Sequence, residues 1–166
     1  MRYIKLFLVS FAILFLVVTC LGLLFPSTVV VSRAVDITAS KDSIYPFVKD
    51  INGWRKWIDG VSESNLTMES PLVAKLGNTL VTISPSKTTD SVINTVWQSR
   101  NGDKQESKLE LYQQKGQFTA VVHWEFVQHI GWLPWERFSS MMNDKIMGTM
   151  MEKNLNNLKT VVENHQ

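Results

Sequence analysis

The feature that most constrains this chain is a 20-residue apolar block from Leu6 to Phe25, broken only by Ser10, Thr19, Cys20 and Gly22. No charged residue occurs between Leu6 and Ser32. As a helix the block rises about 30 Å, the hydrocarbon thickness of a bilayer. A continuous helix also pairs its own backbone N–H and C=O groups, as lipid requires. The block reads as an uncleaved single-pass anchor over residues 1–27, leaving 28–166 as one domain. A cleaved signal peptide would carry a shorter apolar core, about 7–15 residues, and a small-x-small cleavage site. Neither precedes Pro26. A lipidation box would need a small residue where Thr19 stands before Cys20, and the apolar run continues past that cysteine.

Arg2 and Lys5 precede the block and the next cation is Arg33. The positive-inside tendency then keeps the N-terminus in the cytoplasm and puts the domain outside. In a bacterium this is an inner-membrane protein with a periplasmic domain. With two of the 17 basic residues in the tail, the domain carries 15 basic and 15 acidic side chains. It has no basic field and no cation–aromatic stripe, which excludes nucleic acid as a partner class. The single cysteine lies in the anchor, so the domain has no disulfide and no cysteine-based metal site or nucleophile.

Beyond Pro26 the patterns alternate between strand and helix. A β-branched run over residues 29–37 predicts a strand, and Ser40 an N-cap for a short helix through Val48. Trp54 and Trp57, three apart, share one side of a helical turn and are expected to plug an end of the core. From Val61 to Gln128 the period is two, giving strands near 62–68, 79–84, 90–98, 106–113 and 118–128. Turns are expected at Lys75-Leu76-Gly77-Asn78, Ser84-Pro85-Ser86, Arg100-Asn101-Gly102-Asp103 and Gln114-Lys115-Gly116. Such short links make an antiparallel meander, with the 29–37 strand added at an edge. On the last strand Val122, Trp124 and Phe126 share one face, and His123 and Glu125 the other.

Pro134 suits a first helical position, and a helix from Trp135 to about Glu163 would be roughly 43 Å long. It carries two apolar stripes, one through Met147, Met151, Leu155, Leu158 and Val162, the other through Phe138, Met142, Ile146 and Met150. Gly148, between the halves, is a candidate bend. The whole is an α+β domain, its long helix laid across the apolar face of a curved sheet.

Two segments resemble the START-like superfamily, also called SRPBCC, which includes polyketide cyclase/dehydrase-type and lipid-transfer proteins. The first runs from Arg33-Ala34-Val35-Asp36-Ile37 through Ser40–Val48 to Asp50, Trp54 and Trp57. The second joins Val122-His123-Trp124-Glu125-Phe126 and Pro134 to Gly148 and the run Glu152 to Lys159. The resemblance implies a helix-grip fold, often with an elongated apolar cavity between sheet and helix. The stretch from Asn65 to Ser99 departs from the family pattern, with an unusually polar segment between Thr82 and Ser91.

The candidate cavity walls are Trp97, Phe118, Trp124 and Phe126 from the sheet and Phe138, Met142, Met147, Met150 and Met151 from the helix. Arg137 is placed to reach a polar head group, although a surface salt bridge is its default use. Flexible thioethers suit a site that accepts several shapes, but the same residues also suit a filled core. No catalytic or metal constellation stands out. His123 and Glu125 share the face opposite Trp124, His129 lies in a loop, and His165 at the end of the chain. No cofactor motif occurs. Asn65-Leu66-Thr67 matches the glycosylation sequon, of consequence only in a eukaryotic secretory setting. The expected function is non-catalytic binding of a hydrophobic, lipid-like small molecule beside the membrane. The alternatives are a polyketide cyclase/dehydrase-type enzyme, or a ligand-free module that binds a protein partner in an envelope complex.

Overall fold

The computed structural model describes residues 2–61, 66–86, 91–100, 102–140 and 142–165. Asn65 of the sequon, Asn101 of the expected hairpin and the first residues of two expected strands lie outside this set. In chain order the elements are α1 (Arg2–Gly22), β1 (Thr28–Ile37), α2 (Lys41–Val48), α3 (Ile51–Trp54), β2 (Leu66–Ser70) and β3 (Val73–Leu76). β4 (Thr79–Pro85), β5 (Val92–Ser99), β6 (Lys104–Gln113), β7 (Ala120–His129), α4 (Pro134–Ser140) and α5 (Asn143–Glu163) follow. α1 is apolar and long enough to cross a membrane, a property that a signal sequence shares.

The strands form one antiparallel sheet in the order β1-β7-β6-β5-β4-β3-β2. It is the expected meander with β1 added at the edge, and it contains one strand more than the sequence pattern suggested. Lys75 and Leu76, expected in a turn, belong to β3, and the turn shrinks to Gly77-Asn78 with Gly77 at φ 58°. β3 is only 4 residues long and follows Pro71, too short for a period to register.

The inner face of the sheet follows the pleat. Val31, Arg33, Val35 and Ile37 of β1 stand opposite Phe126, Trp124, Val122 and Ala120 of β7. α5 packs against β1, and Met151, Leu155, Leu158 and Val162 join the inner-face residues in a single core. Each fully buried leucine of that stripe contributes about 1.5–3 kcal/mol relative to exposure. The second stripe does not pack on the sheet: Phe138, Met142, Ile146 and Met150 are exposed.

The expected continuous helix is two helices. Ser139 Oγ donates to Glu136 O and Ser140 Oγ to Arg137 O, back-bonds of the kind that bend and weaken a helix end. The break therefore falls at the end of α4 and not at the expected bend, Gly148, which lies inside α5.

Local capping fixes the opening elements. Ser40 Oγ accepts from Ser43 N at 3.2 Å and caps α2, as expected. Asp50 Oδ1 accepts from Gly53 N at 2.8 Å and caps α3. Trp54 Nε1 donates to Val48 O and Trp57 Nε1 to Phe47 O, both at 2.8 Å, so the two indoles close the C-terminal carbonyls of α2 while filling the core. α5 is tied to the same corner. Asn154 Oδ1 accepts from Asp59 N at 2.7 Å, Asn157 Nδ2 donates to Trp57 O at 3.2 Å, and Lys153 pairs with Asp59.

Candidate functional site

Five aromatic rings close a loop on the inner face of the sheet. Trp54 neighbours Trp57 at 5.9 Å, Trp57 neighbours Trp124 at 5.6 Å, and Trp124 neighbours Phe126 at 5.2 Å. Phe126 and Trp97 are 5.8 Å apart, as are Trp97 and Trp54. Two hydroxyls beneath this ring make it chemically complete. Trp97 Nε1 donates to Thr95 Oγ1 at 3.1 Å, Trp124 Nε1 donates to Ser107 Oγ at 3.3 Å, and the two hydroxyls bond each other. Indole N–H groups only donate, so burying them requires acceptors, which Thr95 and Ser107 supply from adjacent strands.

A cavity of about 810 Å³ opens from the Trp97–Phe126 side of this ring. Its apolar part is Trp97, Phe126, Ile130, Met147 and Met150. Its polar part comes from strand ends and the following loops and helix: Thr79, Ser99, Asp103, Lys104, Gln105, Gln128, His129, Glu136 and Ser139. Ile130 N donates to Ser27 O at 2.7 Å, which places the cavity at the end of the sheet where the chain emerges from α1. The Glu136 carboxylate occupies the space a Cβ would take on Gly131, so it lies directly against the β7–α4 loop. His129 Nδ1 lies 3.4 Å from Thr28 Oγ1.

Of the ten wall residues expected from the sequence, Trp97, Phe126, Met147 and Met150 line this cavity. The other six stand elsewhere. Trp124, 1% exposed, is sealed within the aromatic ring, and Met151 is core beneath α5. Phe118 is 88% exposed in the β6–β7 turn, because β7 begins only at Ala120. Phe138 turns to α1, its ring 5.5 Å from Phe25 and edge-on to it. Met142 is exposed at the break between α4 and α5. Arg137 is buried, with Nε donating to Gly131 O at 2.5 Å and Nη1 to Phe25 O at 2.6 Å. It therefore fastens the β7–α4 loop to the end of the apolar segment. The polar lining was missed because its members are scattered over the ends of separate elements, with no spacing to signal them.

On the outer face His123 and Glu125 are remote from the cavity. His123 Nδ1 lies 3.8 Å from Glu110 Oε2. Partial burial pushes the Glu110 carboxyl up, but hydrogen bonds from Lys108 and Tyr112 outweigh it and hold the group below its ordinary value. Among the described residues no cluster of three or more His, Cys, Asp or Glu side chains could hold a metal ion.

A curved antiparallel sheet closed on a C-terminal helix around a cavity defines the helix-grip class of ligand-binding domain. The chain belongs to the polyketide cyclase/dehydrase and lipid transport family, whose model matches residues 28–163. No curated protein sequence matches it. Solved structures share the fold at low identity. A START superfamily protein from Mycobacterium smegmatis is 20% identical with a TM-score of 0.58, covering 82% of this chain and 99% of its own. A protein from Nitrosospira multiformis is 13% identical with a TM-score of 0.61, covering 83% and 100%. Norcoclaurine synthase from Thalictrum flavum, solved with dopamine and hydroxybenzaldehyde, is 10% identical with a TM-score of 0.62, covering 84% and 88%.

Proposed function

We propose that residues 1–27 tether a helix-grip domain, residues 28–166, to a membrane, and that the domain binds a lipid-like amphiphile without turning it over. In a bacterium the tether lies in the inner membrane and the domain faces the periplasm, as Arg2 and Lys5 in the first turns of α1 favour. The observation that carries the reading is the cavity: about 810 Å³, with an apolar floor at Trp97, Phe126, Met147 and Met150 and polar groups around it. That volume falls within the range of small-molecule sites, and an apolar wall with a few convergent polar groups suits a ligand with a tail and a head. Its place beside the root of α1 shortens the path from a bilayer to the site.

The test is to purify the full chain from membranes in mild detergent and analyse an organic extract by mass spectrometry. A near-stoichiometric amphiphile, lost in a Met150→Lys variant that still folds, is the expected result. An extract matching that of an unrelated membrane protein handled identically would sink the reading.

One observation favours a second reading, an enzyme of the cyclase/dehydrase kind: Asp103, His129 and Glu136, all able to exchange protons, line the same cavity. Turnover of a bound aromatic aldehyde or polyketide that disappears in His129→Ala, with ligand retention unchanged, would establish it.

A further inference from the structure

Resting on the tether reading, we infer that α4 is a bilayer-docking element, with Trp132, Trp135 and Phe138 entering the leaflet beside the anchor. α4 has two sides with different neighbours. Pro134, Trp135 and Phe138 form an apolar groove of about 490 Å³ with Phe11, Leu14, Phe15 and Val18 of α1. On the other side Glu136 and Ser139 line the cavity. The first side is not closed off by protein: Trp135 is 59% exposed and Phe138 is exposed too, and Trp132, in the loop just before α4, is 61% exposed.

The occupant follows from continuity. Beyond Lys5, α1 is apolar all round, and the span that qualifies it for a membrane has none of its residues buried by the rest of the chain. Whatever medium covers Phe11, Leu14, Phe15 and Val18 also reaches the α4 side chains that share their groove. Gly22 makes this approach close, since a Cβ there would lie 3.3 Å from Pro134 Cα. The chemistry of the face agrees. Pro134, Trp135 and Phe138 present apolar bodies to a groove that reaches Phe11, Leu14 and Phe15 of α1, near the middle of the 20-residue block, where hydrocarbon is the medium. The one cation on α4, Arg137, is turned inward onto Gly131 O and Phe25 O, the carbonyl pairing that a charge near lipid requires. The exposed stripe continues the surface along α5 through Met142 and Ile146 to Met150, which is itself part of the cavity lining. α4 is thus a partition, with acyl chains on one side and the cavity on the other.

The experiment reconstitutes the full chain in phosphatidylcholine vesicles, with acyl chains either plain or dibrominated, and measures tryptophan emission. Bromine quenches only on close approach. The readout is the part of the quenching that vanishes in the double variant Trp132→Phe/Trp135→Phe. A clear loss of quenching in that variant is expected. Equal quenching in wild type and double variant would overturn the docking face and hand it to a protein partner. Alkaline carbonate washing decides the tether separately: a chain that washes off lacks a spanning anchor, and the emission difference still decides whether α4 docks.

Discussion

The Arg33 guanidinium lies across Gly148, in the space where any other residue of α5 would place its Cβ. From this seat Nε donates to Glu152 Oε1 at 2.6 Å and Nη1 to Asp144 Oδ1 at 3.1 Å, one turn on either side of the glycine. Glycine costs about 1 kcal/mol relative to alanine in a helix interior, so a glycine here is sensible only if something uses the gap. The Arg33 ion pairs with Asp144 and Glu152 are solvent-screened and contribute little by themselves. Gly148→Ala should accordingly be close to neutral in the native background, the helix gain offset by displacement of Arg33. In an Arg33→Ala background the same change should stabilise by about 1 kcal/mol. Thermal unfolding of the four proteins in detergent, followed by tryptophan emission, reads this cycle; additive effects would contradict it.

Gly53 is required for a different reason. A Cβ there would strike the backbone carbonyls of Pro46 and Phe47, the second of which accepts the Trp57 indole bond. Backbone held by a capped helix on each side yields little. Gly53→Ala should cost about 1–3 kcal/mol, the range for overpacking a filled site. A melting temperature within a degree of wild type would show that the α2–α3 corner is looser than described.

Ser107→Ala should likewise cost about 1–3 kcal/mol, because it leaves the buried Trp124 N–H without its acceptor. Thr95→Val should cost less, since Trp97 is only half-buried beside the cavity and water can replace the hydroxyl. Reversal of that order in thermal unfolding would mean that the two hydroxyls do not serve the two indoles separately.

Much of this architecture was legible in the sequence. Alternation in Val122, Trp124 and Phe126 identified the inner face, Ser40 located a helix start, and the Trp54/Trp57 spacing identified a core plug. The choice between the two apolar stripes of the last helix was not legible. A stripe identifies a face that avoids water, but its partner is set by neighbours distant in sequence. Here Arg33 fixes α5 on β1 with the Met147–Val162 stripe inward. The break after Ser140 was equally hidden, since no glycine or proline marks it in the sequence. The cavity was half legible. Its aromatic and thioether residues stood out by type, whereas Ser99, Gln105 and Gln128 are ordinary strand-end polar residues until the sheet brings them together.

Glu163 couples the end of α5 to pH. Its Oε1 accepts from Thr38 N at 2.9 Å, and that bond to the charged form holds the carboxyl below its ordinary value of 4.5. A carboxyl depressed by folding adds stability that is complete above the unfolded value and fades as pH falls through the folded one. The difference in melting temperature between wild type and Glu163→Gln should therefore be present at neutral pH and close as pH falls below 4.5. A gap that persists in acid would mean that the amide perturbs the contact sterically and the charge plays no part.

Met150 and Phe118 separate cavity from surface. Both were expected in the site, yet Met150 lines the cavity and Phe118 projects from the β6–β7 turn. Met150→Lys sets an ammonium against the apolar wall, where a buried tail cannot solvate it. It should reduce co-purifying amphiphile at least about tenfold, the effect of about 1.4 kcal/mol in binding. Because Met150 borders a cavity with polar groups on its other walls, the lysine can reach water there in the empty protein, so the melting temperature should barely move. Phe118→Ser removes a larger apolar side chain but touches nothing in the cavity, and ligand content should be unchanged. Equal losses in both variants would trace the lipid to nonspecific adhesion on exposed apolar surface; loss confined to Met150→Lys would trace it to the cavity.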